Sequence, residues 1–236
     1  MEDPRRERAL PQAGSLQRTL GGRQLEEEGR YEEALEQYEL ALRNNTENWE
    51  SHANVARLMA RLGNPDGAIE HYREALRIHP EAFSVQVQLA DVLERSGDTA
   101  GAIEQYRRAL AREPENGLVL YRLGTALAAS GRSAEGQAML ERALEIDPES
   151  AKTHLNLGIV LAQQNRLDVA DRHLREALRL DPDDPEVHYN LAFLLATRGE
   201  LLEAERHLAE AVRLAPSDPS NRQALAAVRE KLRTNP

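Results

Sequence analysis

The amino-acid sequence keeps a period of 34 residues over most of its length. Pro80, Pro114, Pro148, Pro182 and Pro216 follow one another at that interval. Gly29, Gly63, Gly97, Gly131 and Gly199 form a second series, whose one gap is filled by Asn165. Three more series are small: Gly22, Ala56, Ala90, Gly124, Gly158 and Ala192; Ala34, Ala68, Ala102, Gly136, Ala170 and Ala204; Ala41, Ala75, Ala109, Ala143, Ala177 and Ala211. A period of this length means that each unit is one supersecondary element. Such a unit cannot bury its apolar face alone, so neighbours must stack.

Each series has a physical role. A helical pattern such as HLNLGIVLAQQ precedes the glycine, because the residue after a helix often needs a positive φ. Asparagine tolerates that conformation next best, so Asn165 fits the series. A second pattern, such as LDVADRHLREALRL, follows and stops before the proline. In one repeat it opens with Asn64-Pro65, a cap residue and a proline suited to the first turn. The small residues let paired helices approach, with Leu127, Leu161 and Leu195 filling between first helices and Leu144, Leu178 and Val212 between second ones. Asp181-Pro182-Asp183-Asp184 is then a boundary between helices. A calcium loop starting at Asp181 would need glycine at its sixth place and glutamate at its twelfth, where the chain has Glu186 and Ala192.

This pattern, repeated through stretches such as NLGIVLAQQNRLDVADRHLREALRLDP, resembles the tetratricopeptide repeat family. The resemblance implies an all-α, right-handed superhelical solenoid of antiparallel helix pairs, with first helices lining a groove. Six repeats fall at 15–48, 49–82, 83–116, 117–150, 151–184 and 185–218. A polar, flexible segment is expected over 1–14 and a capping helix over 219–236, with Leu225, Val228 and Leu232 on one face. Repeat 1 departs from the pattern at Gly21, Asn44 and Thr46, as a terminal repeat does.

The net charge of −10 argues against nucleic acid, whose binding rests on neutralising phosphates. The basic side chains are arginines except Lys152 and Lys231. The chain has no cysteine, hence no disulfide or thiolate chemistry. With neither an apolar leader nor a membrane-length apolar run, a cytoplasmic protein without membrane insertion is expected. No catalytic fingerprint, cofactor motif or metal set stands out. His52, His154 and His188 share one place in their repeats, and His71, His173 and His207 another. Equivalent places in successive repeats are two helices apart, too far to converge on one ion. The carboxylate clamp of this family wants asparagine at a place that here holds Arg23, Arg57, Asp91, Thr125, Ile159 and Phe193.

Two features point to a peptide or protein partner. Asn54, Asn156 and Asn190 recur at one place on first helices, with Gln88 and Arg122 between them. A similar ladder in the repeat region of protein O-GlcNAc transferases holds the substrate backbone, since an amide both donates and accepts. Repeats 1 to 3 carry charges at the groove places, among them Arg23, Glu26, Arg57, Arg61, Asp91 and Glu94. Repeats 4 to 6 carry Tyr121, Arg122, Leu155, Asn156, Ile159, Tyr189, Asn190 and Phe193, with Lys152 nearby. Clustered apolar and aromatic residues mark an interaction surface. The expectation is a non-catalytic scaffold binding a segment there. A subunit presenting substrates to a separate enzyme is the alternative, and self-association stays open.

Overall fold

A computed structural model describes residues 4–234, with side chains from residue 14 onward. Every regular element among them is a helix. The first helices are α1 (Pro4–Glu27), α3 (Trp49–Arg61), α5 (Phe83–Arg95), α7 (Gly117–Ala129), α9 (Ala151–Gln163) and α11 (Pro185–Thr197). Their partners are α2 (Tyr31–Asn44), α4 (Pro65–Ile78), α6 (Thr99–Leu110), α8 (Ser133–Ile146), α10 (Leu167–Leu180) and α12 (Leu201–Leu214), and α13 (Pro219–Thr234) follows. The result is an all-α repeat solenoid. No helix among the described residues is long and apolar enough to cross a membrane.

The boundaries fall where local chemistry sets them. Gly29, Gly63, Gly97, Gly131 and Gly199 all have positive φ. Asn165 takes the same conformation at φ 60, the one non-glycine to do so among the described residues. Asn64 accepts the amide of Gly67, with Pro65 in the first turn of α4. Asp184 accepts the amide of Glu186 at 2.8 Å. That carboxylate of the acidic cluster therefore caps α11, as a helix N-terminus favours. The N-terminal boundary differs from expectation. The polar segment 1–14 is helical from Pro4 onward and continuous with repeat 1. Pro4 stands in the first turn, where its missing N–H has no partner to lose, whereas Pro11 lies inside α1 and leaves one carbonyl of the preceding turn without its helical N–H.

The chain divides into two compact units, Met1–Pro114 and Glu115–Pro236. Each is built from the same contact between a small and a large place. In the first unit, a Cβ on Gly22 would meet the Tyr38 ring at 2.6 Å. In the second, Gly124 lies against Leu140 and Gly158 against Leu174, at 2.8 and 2.7 Å from such a Cβ. The large place thus holds Tyr38, Tyr72 and Tyr106 in the first unit and Leu140, Leu174 and Leu208 in the second. All six are buried. In the second unit α13 packs on α12, and Leu225 and Val228 join the core of Leu191, Leu195 and Leu208.

Candidate functional site

In the first unit several charges on the first helices hold one another. Arg57 donates to both oxygens of Glu26 at 2.5 and 2.6 Å, and the Tyr38 hydroxyl donates to Glu26 at 2.6 Å. Burial alone would raise the Glu26 carboxyl. The bonds from Arg57 and Tyr38 outweigh it and hold the group below the usual carboxylate range. Arg23 reaches Glu50 at 3.4 Å. The Tyr106 hydroxyl lies 2.7 Å from Asp91 and 3.0 Å from Glu94. A tyrosine at the large core place therefore sends its hydroxyl through to carboxylates of the first helices, satisfying both.

The second unit has leucine at that place, and its first helices carry apolar and amide groups. Tyr121, Ile159 and Tyr189 are half-buried and pack on the core. Phe193 is 64% exposed. Asn156 Nδ2 donates to the Tyr121 hydroxyl at 3.2 Å and to the Lys152 carbonyl at 2.9 Å. Asn190 Nδ2 donates to the Glu186 carbonyl at 2.8 Å. Arg122 is half-buried and Lys152 exposed. Leu155 is not at the surface. It is 3% exposed and belongs to the core, because its place on α9 faces the neighbouring helices.

These bonds revise the asparagine ladder. Asn156 spends its two amide donors on the Tyr121 hydroxyl and on the Lys152 carbonyl one turn back, and so presents an acceptor, whereas Asn190 spends one donor on the Glu186 carbonyl and keeps the second beside its acceptor. Asn54, in the first unit, accepts from Arg57 at 3.3 Å, and its Nδ2 is buried without a partner.

Tyr189 also separates two clefts between α11 and α13. One, of about 330 Å³, is lined by Phe193, Ala196, Ala224, Ala227 and Lys231 among others. The second, of about 400 Å³, lies toward the start of both helices beside Pro185, Glu186 and Asp218.

The histidines form an arrangement absent from the sequence reading. The two series pair with each other inside each repeat. Nδ1 faces Nδ1 at 3.0 Å in His52–His71, 2.9 Å in His154–His173 and 3.0 Å in His188–His207. Nε2 of the first member lies 3.1, 3.0 and 3.0 Å from the carbonyls of Thr46, Pro148 and Pro182. A carbonyl only accepts, so that Nε2 carries the proton and the neutral ring's Nδ1 is bare. The second member must then donate from its own Nδ1. Burial, then the facing histidine, lowers the pKa of His71, His173 and His207. Each pair ties the turn before a repeat to both of its helices. Among the described residues no group of three or more histidine, cysteine or acidic side chains could hold a metal. The available signal was an offset of 19 residues between the two series.

No curated protein sequence matches the chain. Among solved structures, YrrB, described as a tetratricopeptide protein with an unusual peptide-binding site, superposes with a TM-score of 0.66 at 24% identity. The match covers 80% of this chain and 96% of that one. PilF of Pseudomonas aeruginosa gives a TM-score of 0.59 at 26% identity, covering 79% and 90%. PilW, a type IV pilus biogenesis factor, gives 0.66 at 21% identity, covering 79% and 93%. A family model, that of the cilia and flagella-associated protein 70 C-terminal domain, matches residues 7–236. The repeat register, the helix pairs and this match over nearly the whole length agree, and the chain belongs to that family of tetratricopeptide repeat proteins.

Proposed function

We propose that the chain is a non-catalytic scaffold that binds a protein or peptide segment along the first helices of its second unit. The observation that carries this reading is the contrast between the units. Several groove charges of the first unit are satisfied internally, as in Glu26–Arg57–Tyr38 and Arg23–Glu50. The second unit leaves Phe193 largely in water beside Tyr189 and two clefts. Aromatic side chains in such settings are the ones enriched among binding hot spots. Tyr121, Tyr189 and Phe193 give apolar contact, Asn156 accepts from the segment's backbone, and Asn190 both accepts from it and donates to it. Arg122 and Lys152 favour acidic groups. The family's name links its namesake to cilia and flagella, and a scaffold that holds segments of other proteins suits assembly of such a structure.

Selecting peptides from a random display library on the immobilised full chain, then titrating the strongest, tests this. Tyr189→Ala with Asn190→Ala is expected to weaken binding at least tenfold, since hot-spot losses run to about 2 kcal/mol. The helical signal should not change. If only Arg57→Ala with Arg61→Ala weakens it, the site lies in the first unit and this assignment fails.

A further inference from the structure

The two clefts beside Tyr189 have a polarity that specifies an occupant. Counting α13 as the first helix of a seventh repeat puts Ala227 where α9 has Ile159 and α11 has Phe193. The large side chain that would stand beside Phe193 is reduced to a methyl group. Ala224 of α13 and Ala192 and Ala196 of α11 are small as well. Phe193 therefore forms one wall of an apolar cleft with no bulky opposite wall, which accounts for its exposure.

Charges of opposite sign stand at the two ends. Lys231 lines the apolar cleft near the ends of α11 and α13. Glu186 lines the other cleft at the start of α11, with Asp218 beside it. Asp218 already accepts the amide of Ser220 at 2.8 Å. The side chains of Lys231 and Glu186 make no ion pair among the described residues. Glu186 is the second residue of its repeat and Lys231 the thirteenth of its own. At 1.5 Å per residue, the two levels are about 16 Å apart along the helices. An extended chain at about 3.3 Å per residue covers that span in about five residues.

We propose that these clefts receive an extended segment of a partner protein bearing a basic and an acidic side chain about five residues apart, with a large apolar residue between them, nearer the acidic one. The apolar side chain lies against Phe193 over the alanines. The carboxylate meets Lys231, and the basic group meets Glu186. This rests on the scaffold reading and narrows it to one pair of helices.

The probes are short fluorescein-labelled peptides with Arg and Glu about five residues apart and Leu between them, made in both chain directions. Anisotropy is read with the full chain. One direction is expected to bind. Ala227→Trp, which fills the cleft from an exposed position, should abolish binding while the circular dichroism is unchanged. Lys231→Glu should weaken it at least tenfold, and replacing the peptide's Glu by Arg should restore it. If neither peptide binds, or if both variants bind as the original chain does, the proposal is overturned. Library-selected peptides that still bind Ala227→Trp and depend on Tyr121 and Asn156 would overturn it too, leaving the scaffold reading in place.

Discussion

Ala170 is completely buried between helices of the second unit. It belongs to the packed core of that unit, and enlarging a packed site costs about 1–3 kcal/mol. Ala170→Leu is therefore expected to lower the urea midpoint at unchanged slope. A midpoint equal to that of the original chain would show the register to be wrong. A second residue-scale expectation comes from the histidine places. In repeat 3 they hold Gln86 and Gln105. Gln86 Nε2 donates to the Pro80 carbonyl at 2.8 Å, as the histidines do in their repeats. However, Gln86 Oε1 and Gln105 Oε1 are both buried without partners. Gln86→His with Gln105→His puts the self-satisfying pair of the other repeats there. It should stabilise the chain by about 1 kcal/mol at pH 8, the worth of a typical hydrogen bond. Legibility at this scale was uneven. The period told which residues are equivalent, which is why Asn165 could be placed in the glycine series. It did not tell which places meet across a repeat, so the histidine pairs were missed and Leu155 was assigned to the surface. The direction of a side chain depends on how neighbouring helices pack, which a count along one helix does not contain.

Among elements, α13 shows what the pattern could reveal beyond the last repeat. Leu225, Val228 and Leu232 are spaced for one helical face, and the first two are buried against the α11–α12 core. Ending the chain after residue 218 would expose the apolar surface they cover. A lower thermal midpoint and aggregation by light scattering are expected. A truncated chain that stays monomeric with unchanged stability would rule out a capping role. The other terminus was less legible. Residues 1–14 lack the small and large places that define a repeat, so composition suggested a flexible segment. Helix formation there needs no repeat pattern; it continues the helix that starts repeat 1.

At the scale of the molecule, the three histidine pairs link stability to pH. In each folded pair burial, and then the charge of the facing ring, disfavours protonation of His71, His173 and His207. Other charges face the lowered members: Glu70 and Glu74 at His71, Glu141 and Arg172 at His173, Glu203 and Arg175 at His207. The carboxylates favour protonation but do not overcome burial. The unfolded chain, with histidines near 6.5, takes up protons that the folded pairs refuse. The stabilising contribution is thus complete above that value and is lost as pH falls through it toward the lowered folded values. Thermal midpoints are expected to drop between pH 7.5 and 5.5. The drop should be shallower in a chain carrying His71→Gln, His173→Gln and His207→Gln, because an amide donates to the facing Nδ1 without titrating. Equal slopes would show that the pairs do not govern acid sensitivity.

The distribution of lysine has a practical consequence for this same molecule. Its two side-chain amines, on Lys152 and Lys231, stand on the helices either side of α11. Amine-directed chemistry on side chains is therefore confined to the flanks of Tyr189 and Phe193. A mild acylating reagent becomes a footprint of occupancy, read by mass from two peptides. Any molecule seated there slows modification at one lysine or both, and the ratio of the two rates reports which side of α11 it covers.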